Sequence, residues 1–249
     1  MIKRNKITSF PDVELYDFHS HLLPDIDDGS KSTDESLQIL SESYRQGIRH
    51  IVATPHFYAN FQDLAKFLER RKNAVEALKG SLGNAVVPKI HIGAEVAYFN
   101  GIGRSDKLAP LCIEGTNLML LEMPFERWSE AIIKDVIKLC ESSDIVPILA
   151  HIERYADKSN MSYLPMLAQY GVLVQSNSSF FLDRLYGRKA MKLLANDTIQ
   201  LLGSDTHNCT TRPQTLGYAA ALIADKNMAL LREVSEFSAE LLKDSKSIN

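Results

Sequence analysis

The chain has 249 residues, 45% of them hydrophobic, and a formal net charge of −3. That length can bury one large core, and the charge balance leaves no basic field for nucleic acid. No apolar run approaches the roughly 20 residues of a membrane span, and the opening segment, MIKRNKITSFPDVE, lacks the apolar stretch of a secretory signal. Cys112, Cys140 and Cys209 have no paired spacing. A reducing, cytoplasmic setting is therefore expected, with no membrane insertion.

Short Val/Ile/Leu runs bounded by Gly and Pro alternate with amphipathic stretches, as in repeated βα units whose strands are buried on both faces. The first run, VELYDFHSH, ends on His19 and His21. After the acidic loop LPDIDDGSKS, Ser32 or Thr33 caps a helix over 34–46 with Leu37, Leu40 and Tyr44 on one face, and Gly47 stops it. Strand two, 50–54, is halted by Pro55 just before His56. A charged helix over 62–79 leads to strand three, 87–95, which ends on Glu95, and then to a long loop over 97–116.

Strand four, 117–123, carries Glu122 and precedes a helix over 129–140. Strand five, 145–150, delivers His151 and precedes a helix over 163–170. Strand six, GVLVQSN, is followed by a helix over 183–194; strand seven, 198–203, leads to Asp205 and His207 and a helix over 215–225. Seven strands rather than eight predict an irregular (β/α)7 TIM-like barrel. One domain spans 1–249, with a short N-terminal extension over 1–14 and a C-terminal helix over 228–243 packed outside.

In a parallel barrel the C-terminal strand ends carry the chemistry. His19, His21, His56, Glu95, Glu122, His151, Asp205 and His207 all occupy such ends and should converge on one rim. His19 and His21, two apart on a strand, share a face about 6–7 Å from each other and can clasp one ion. Mixed imidazole and carboxylate ligands suit Mn²⁺, Fe²⁺, Co²⁺ or Zn²⁺ better than Ca²⁺ or Mg²⁺. The groups exceed what one ion needs, so two or three ions are expected, with a carboxylate such as Glu95 as a bridge. His50 and His91 lie too far from the rim and read as structural. Arg154 and Arg212 follow rim residues and are either surface ion pairs or bidentate phosphate clamps. Phe57, Tyr58, Tyr98, Phe99 and Trp128 follow strand ends and either pack on the fold or line a slot for a substrate ring.

DFHSHLLPDIDDG, ATPH, GAE, LLE, LAHIERY and GSDTH together resemble the PHP (polymerase and histidinol phosphatase) superfamily. They are more similar to its branch of bacterial metal-dependent protein-tyrosine phosphatases of capsular and exopolysaccharide biosynthesis. The resemblance covers residues 17–217. It implies one ion on His19, His21, Glu95 and Asp205, a second on Glu95, Glu122 and His151, and a third on Asp28, His56 and His207. On the residues alone, Asp25 and Asp27 compete with Asp28.

The resemblance further implies Mn²⁺ as the preferred ion and Arg154 and Arg212 as phosphate clamps. A hydroxide held by the metals would attack the phosphorus directly. A rim imidazole, His207 or His56, or a metal-held water would supply the leaving-group proton. The implied substrate is phosphotyrosine on a bacterial tyrosine autokinase that regulates polysaccharide synthesis; a homo-oligomer is compatible with the chain. The alternative is a small-molecule phosphoesterase such as histidinol-phosphate phosphatase. A cysteine-dependent route is excluded, because Leu118, Val146 and Thr215 stand where its arginine would follow Cys112, Cys140 and Cys209.

Overall fold

A computed structural model describes residue 10, residues 12–156 and residues 158–249. Most of the expected N-terminal extension, residues 1–9 and 11, lies outside the described residues. The chain runs β1 (Leu15–Ser20), α1 (Thr33–Arg45), β2 (Ile48–Ala53), β3 (His56–Phe57), α2 (Leu64–Leu82), β4 (Lys89–Ile92) and β5 (Glu95–Ala97). Then follow β6 (Leu118–Glu122), α3 (Glu130–Ser143), β7 (Val146–Leu149), α4 (Lys158–Met161), α5 (Leu164–Ala168) and β8 (Leu173–Asn177). The last elements are α6 (Ser178–Leu182), α7 (Gly187–Ala195), β9 (Leu201–Gly203) and α8 (Leu216–Leu242). Among the described residues no helix is long and apolar enough to cross a membrane.

All strand pairs are parallel, in the orders β1-β2-β4 and β3-β5-β6-β7-β8-β9. Strands two and three of the sequence reading are each interrupted. Pro55 cannot donate to a ladder, and strand two resumes as β3 at His56; strand three breaks at Gly93 and resumes as β5 at Glu95. Backbone bonds cross both gaps, from Gly93 N to Ala53 O at 2.9 Å and from Glu95 N to Pro55 O at 3.0 Å. The sheet therefore curls continuously, and its first and last strands meet through Asp205 N to His19 O and His21 N to Thr206 O, both 2.8 Å.

Inside the curl, Phe18, Val52, Leu118, Leu120, Ile148 and Leu201 form one apolar layer. Below it His50 Nδ1 and His91 Nε2 lie 3.0 Å apart, and Ser245 Oγ is 2.8 Å from His91 Nδ1, which fits their structural reading. Above it stand the rim residues. Outside, the helices pack on the sheet through a larger apolar cluster that includes Ile39, Leu40, Phe67, Leu78, Val136, Leu139 and Ile223.

Helix α1 is capped by Ser32, whose Oγ accepts from Glu35 N. Its buried stripe is Ser36, Ile39, Leu40 and Ser43 rather than the expected Leu37, Leu40 and Tyr44. The serines are small and donate to main chain, Ser36 Oγ to Leu22 O and Ser43 Oγ to Ile39 O, so no hydroxyl is stranded. The helix expected over 163–170 is shorter, the one over 183–194 is α7 and starts later, at Gly187, and α6 directly after β8 was not expected. The two last helices run end to end within α8 and are separated by non-helical backbone at Asn227 (φ −160°, ψ 99°), at the expected break.

Candidate metal centre

The strand ends bring the predicted ligands to one mouth. Asp17 pairs with Ile51 and Ser20 with Ala53, so Phe18 and His19 together oppose Val52. An extra residue of this kind re-aims side chains: Phe18 enters the inner layer, and His19 and His21 both turn to the rim.

Four side-chain atoms then crowd one point. His19 Nε2 lies 3.1 Å from His21 Nε2, 3.2 Å from Glu95 Oε2 and 3.5 Å from Asp205 Oδ1. His21 Nε2 is 3.3 Å from Glu95 Oε2 and 3.5 Å from Asp205 Oδ1. Ligands about 2.1 Å from one ion at tetrahedral angles stand about 3.4 Å apart. The spacing thus matches a coordination polyhedron, and two imidazole Nε2 atoms facing each other need a cation or a shared proton between them.

The second oxygen of Glu95, Oε1, is 2.9 Å from His151 Nε2, which also lies 3.4 Å from Glu122 Oε1. Asp28 Oδ1 is 3.4 Å from His56 Nε2 and 3.3 Å from His207 Nε2. His56 also joins Glu95 and Glu122 in one group and His21 in another, each group having ligand atoms within 4.8 Å of one another. Glu95 is placed to bridge. All nine expected ligands are gathered: His19, His21, Asp28, His56, Glu95, Glu122, His151, Asp205 and His207.

Glu95 Oε2, His56 Nδ1 and His207 Nε2 are buried and have no hydrogen-bond partner among the described residues. His56 Nδ1 and Glu95 Oε2 stand 2.9 Å apart yet are not aligned as donor and acceptor. Unpaired buried polar atoms are costly, and here each points into the ligand cluster. The donor set, imidazole and carboxylate without thiolate, fits divalent metal ions.

The electrostatics agree. Burial opposes the charge on His21, but hydrogen bonds with Asp27 and Glu95 overcome it and lift this imidazole to about 10. His151 rises to about 9 against burial, through Glu122 and Glu95. Burial alone would raise Glu95, yet the charge of His19 and bonds from His151, His19 and His21 hold it well below the usual carboxylate range. Asp205 is likewise lowered, against burial, by His19 and His21. Burial and the His21 charge push His207 down to about 4. The carboxylates attract cations strongly, and protons on imidazoles compete with ions for that attraction.

Of the competing aspartates, Asp28 faces the cluster, whereas Asp25 turns the loop in left-handed backbone, φ 53°. Asp27 does a different job that the sequence reading missed: Oδ2 accepts from His21 Nδ1 at 2.8 Å and from His56 N at 3.1 Å, and Oδ1 accepts from Gly29 N. It fixes the His21 ring from behind. Gly29 is needed there, since a Cβ would stand 2.2 Å from His21 O.

Behind the rim, polar residues of β8 hold two candidate ligands with strained backbone. His151 (φ 35°) and Asp205 (φ 54°) adopt left-handed backbone that non-glycine residues rarely occupy. Gln175 Oε1 accepts from His151 N at 2.7 Å, and Asn177 Nδ2 donates to Asp205 Oδ2 at 3.0 Å. The QSN ending of that strand, the one without an imidazole or carboxylate, was the available signal.

Arg154 Nη2 and Arg212 Nη2 both donate to Asp205 Oδ2, at 2.7 and 2.6 Å. They are 33% and 39% exposed, and their Nη1 atoms stand 3.7 Å from Glu122 Oε1 and 3.8 Å from Asp28 Oδ2, so both guanidinium groups border the cluster and reach solvent. The aromatics divide between the two readings. Phe57 and Trp128 are buried in the core, and Tyr98 Oη donates to Asp135. Tyr58 stacks on the candidate ligand His56 at 5.2 Å. The exposed ring at the mouth is Phe125, which the sequence reading did not single out.

The family of capsular polysaccharide synthesis proteins CpsB/CapC matches residues 15–234. The chain belongs to the CpsB/CapC family. Tyrosine-protein phosphatase CpsB of Streptococcus pneumoniae is 31% identical over 231 residues, 85% of this chain and 90% of that one. Tyrosine-protein phosphatase YwqE of Bacillus subtilis (strain 168) is 28% identical over 209 residues, 80% of this chain and 79% of that one. Among solved structures, one of the pair YwqE and CpsB, described as unique metal-dependent tyrosine phosphatases, superposes with a TM-score of 0.80 at 24% identity. That match covers 93% of this chain and 96% of the other. The mixed α/β architecture with its curled parallel sheet is thus that of the CpsB/CapC family.

Proposed function

We propose that the protein is a metal-dependent protein-tyrosine phosphatase whose substrate is a bacterial tyrosine autokinase of capsular or exopolysaccharide synthesis. One observation carries this reading: His19, His21, Glu95 and Asp205 meet at ligand spacing directly beneath two arginines. The names of the CpsB and YwqE relatives support the same activity. Hydrogen bonds between the first and last strands support an irregular seven-strand barrel. Burial of Leu231 and Leu242 of α8 against the sheet supports one domain over 1–249, with 228–243 as its outer helix. We place the protein in the cytoplasm.

The nine gathered side chains would hold two or three divalent ions, Mn²⁺ preferred over Fe²⁺, Co²⁺ or Zn²⁺. Such ions supply an activated solvent nucleophile and a clamp on phosphoryl oxygens. The protein's own groups do the rest. Arg154 and Arg212, part-exposed beside the cluster, would bind the equatorial phosphate oxygens, where charge develops during transfer. Asp205 holds both guanidinium groups in place. His207, pushed down to about 4, is neutral imidazole at physiological pH, which suits an ion-holding nitrogen better than a proton donor. A phenol leaving group, with a pKa near 10, needs less protonation than an alkoxide.

The test compares turnover of a phosphotyrosine peptide, a phosphoserine peptide and histidinol phosphate with Mn²⁺ present. Phosphotyrosine should be strongly preferred. Preference for histidinol phosphate would put the small-molecule reading in its place.

A further inference from the structure

Large apolar side chains are normally covered, yet Phe125 is 66% exposed at the mouth of the metal centre. It is not a loose loop residue. Pro124 O accepts from Trp128 Nε1 at 3.1 Å, and Trp128 N donates to Asn160 Oδ1 at 2.9 Å, which pins both ends of the short segment. Phe125 also caps a column of rings. Trp128 and Tyr155, both buried, lie 5.4 Å apart, and Phe125 lies 5.8 Å from Tyr155. The two lower rings are covered by neighbours; the top one meets solvent.

Its position ties that bare ring to the reacting phosphate. Phe125 is nearly parallel to the ligand His151, at 8° and 6.5 Å. The guanidinium carbon of Arg154 stands 6.0 Å from the Phe125 centroid. A phosphate seated on Arg154 therefore has a fixed aromatic surface beside it. In an aryl phosphate the ring is bonded directly to a phosphoryl oxygen, so it must leave the site close to that surface. Offset or edge-to-face pairs with centroids 4.5–7 Å apart are favourable. A serine phosphate brings only a methylene to the same place.

We infer that Phe125 is the platform for the phenolic ring of the substrate and a determinant of aryl over alkyl phosphate specificity. This rests on the phosphatase reading above. Arg154 and the ion-holding residues bind the phosphoryl group that every phosphate monoester shares, whereas Phe125 reads what is attached to it. Tyr58, stacked on His56 at the other oxygen of Glu95, borders the opposite side of the mouth.

The test measures inhibition of the Mn²⁺-loaded enzyme by phenylphosphonate and by methylphosphonate, in wild type, Phe125→Ala and Phe125→Tyr. Metal content is measured in each. Phe125→Ala should weaken phenylphosphonate roughly tenfold, the order of one lost aromatic pair and its buried surface. Methylphosphonate should stay within about twofold, since the alanine removes none of its contacts. Phe125→Tyr, which keeps the ring, should bind phenylphosphonate as wild type does. KM for phenyl phosphate should rise in Phe125→Ala with kcat little changed. Equal weakening of both phosphonates, or of neither, overturns the platform. Wild-type hydrolysis of a phosphotyrosine peptide is measured alongside: its failure would overturn the phosphatase reading, while its success with an unchanged phosphonate ratio in Phe125→Ala overturns the platform alone.

Discussion

Arg154 and Arg212, 58 positions apart in the chain, donate to the same oxygen, Asp205 Oδ2, from 2.7 and 2.6 Å. The other oxygen of Asp205 faces His19 and His21, each 3.5 Å away. One carboxylate thus ties the two guanidinium groups to the candidate ligand cluster. Arg154→Ala or Arg212→Ala should lower kcat/KM about a hundredfold, the usual cost of one preorganised charge-stabilising donor. Metal content should not change. Lysine at either position should restore little, because it lacks the fork that serves Asp205 and phosphate together. Atomic absorption with phosphotyrosine-peptide kinetics checks both points, and loss of metal in the alanine variants would show that the arginines are structural.

Metal uptake should release protons. His21 at about 10 and His151 at about 9 carry protons at pH 7 when no ion competes, and ligand nitrogens must give them up. Titrating EDTA-treated protein with Mn²⁺ in buffers of different ionisation enthalpy should give different apparent heats, corresponding to roughly one or more protons released. Affinity should fall as the pH is lowered. Buffer-independent heat would contradict this account. The EDTA-treated protein should be inactive on p-nitrophenyl phosphate, and Mn²⁺ or Co²⁺ should restore turnover.

Asp27 should differ in kind from the side chains of the cluster when replaced. His21→Ala and Glu95→Gln remove groups at the centre of the cluster and should cost at least about a hundredfold in activity, with reduced metal content. Asp27→Asn leaves every proposed ligand but slackens the His21 ring, so metal affinity should drop about 10–100-fold. An Asp27→Asn enzyme with wild-type affinity would remove the orienting role assigned to that bond.

The pH response of stability should come partly from the far end of the curl. Burial, then the neighbouring His50 and Lys89, push His91 down to about 4; His50 is also lowered by burial and Lys89. In the unfolded chain an imidazole titrates near 6.5. Between those values the unfolded chain binds more protons, so the contribution is full above about pH 6.5 and is lost as the pH falls toward 4. In EDTA-treated protein, the urea midpoint should fall between pH 7.5 and pH 5 by less in His91→Gln than in wild type. Parallel shifts in the two proteins would exclude His91 as the source.

Much of this site was legible because its chemistry is local. Every candidate ligand but Asp28 ends or closely follows an apolar run, as in VATPH or LMLLE, so a strand's C-terminal end can be located without knowing its neighbours; Asp28, in the acidic loop, came from the resemblance. Side chains whose role depends on a second segment were not legible. Gln175 and Asn177 look like ordinary strand-end polar residues until His151 and Asp205 arrive beside them. Phe125 and Trp128 are both loop aromatics in the sequence, and only packing against Tyr155 buries one and bares the other.

The amino-acid sequence by itself determined the parallel strands, the ligand types and their common rim, since hydrophobic period and residue chemistry are properties of short segments. The tertiary structure decided that Phe18 and His19 share one step opposite Val52, that Asp28 faces the cluster while Asp27 stands behind His21, and that both arginines meet at Asp205. Those are distances between atoms on separate segments. They are set by how the sheet curls and the loops seat on it, which no single stretch of chain encodes.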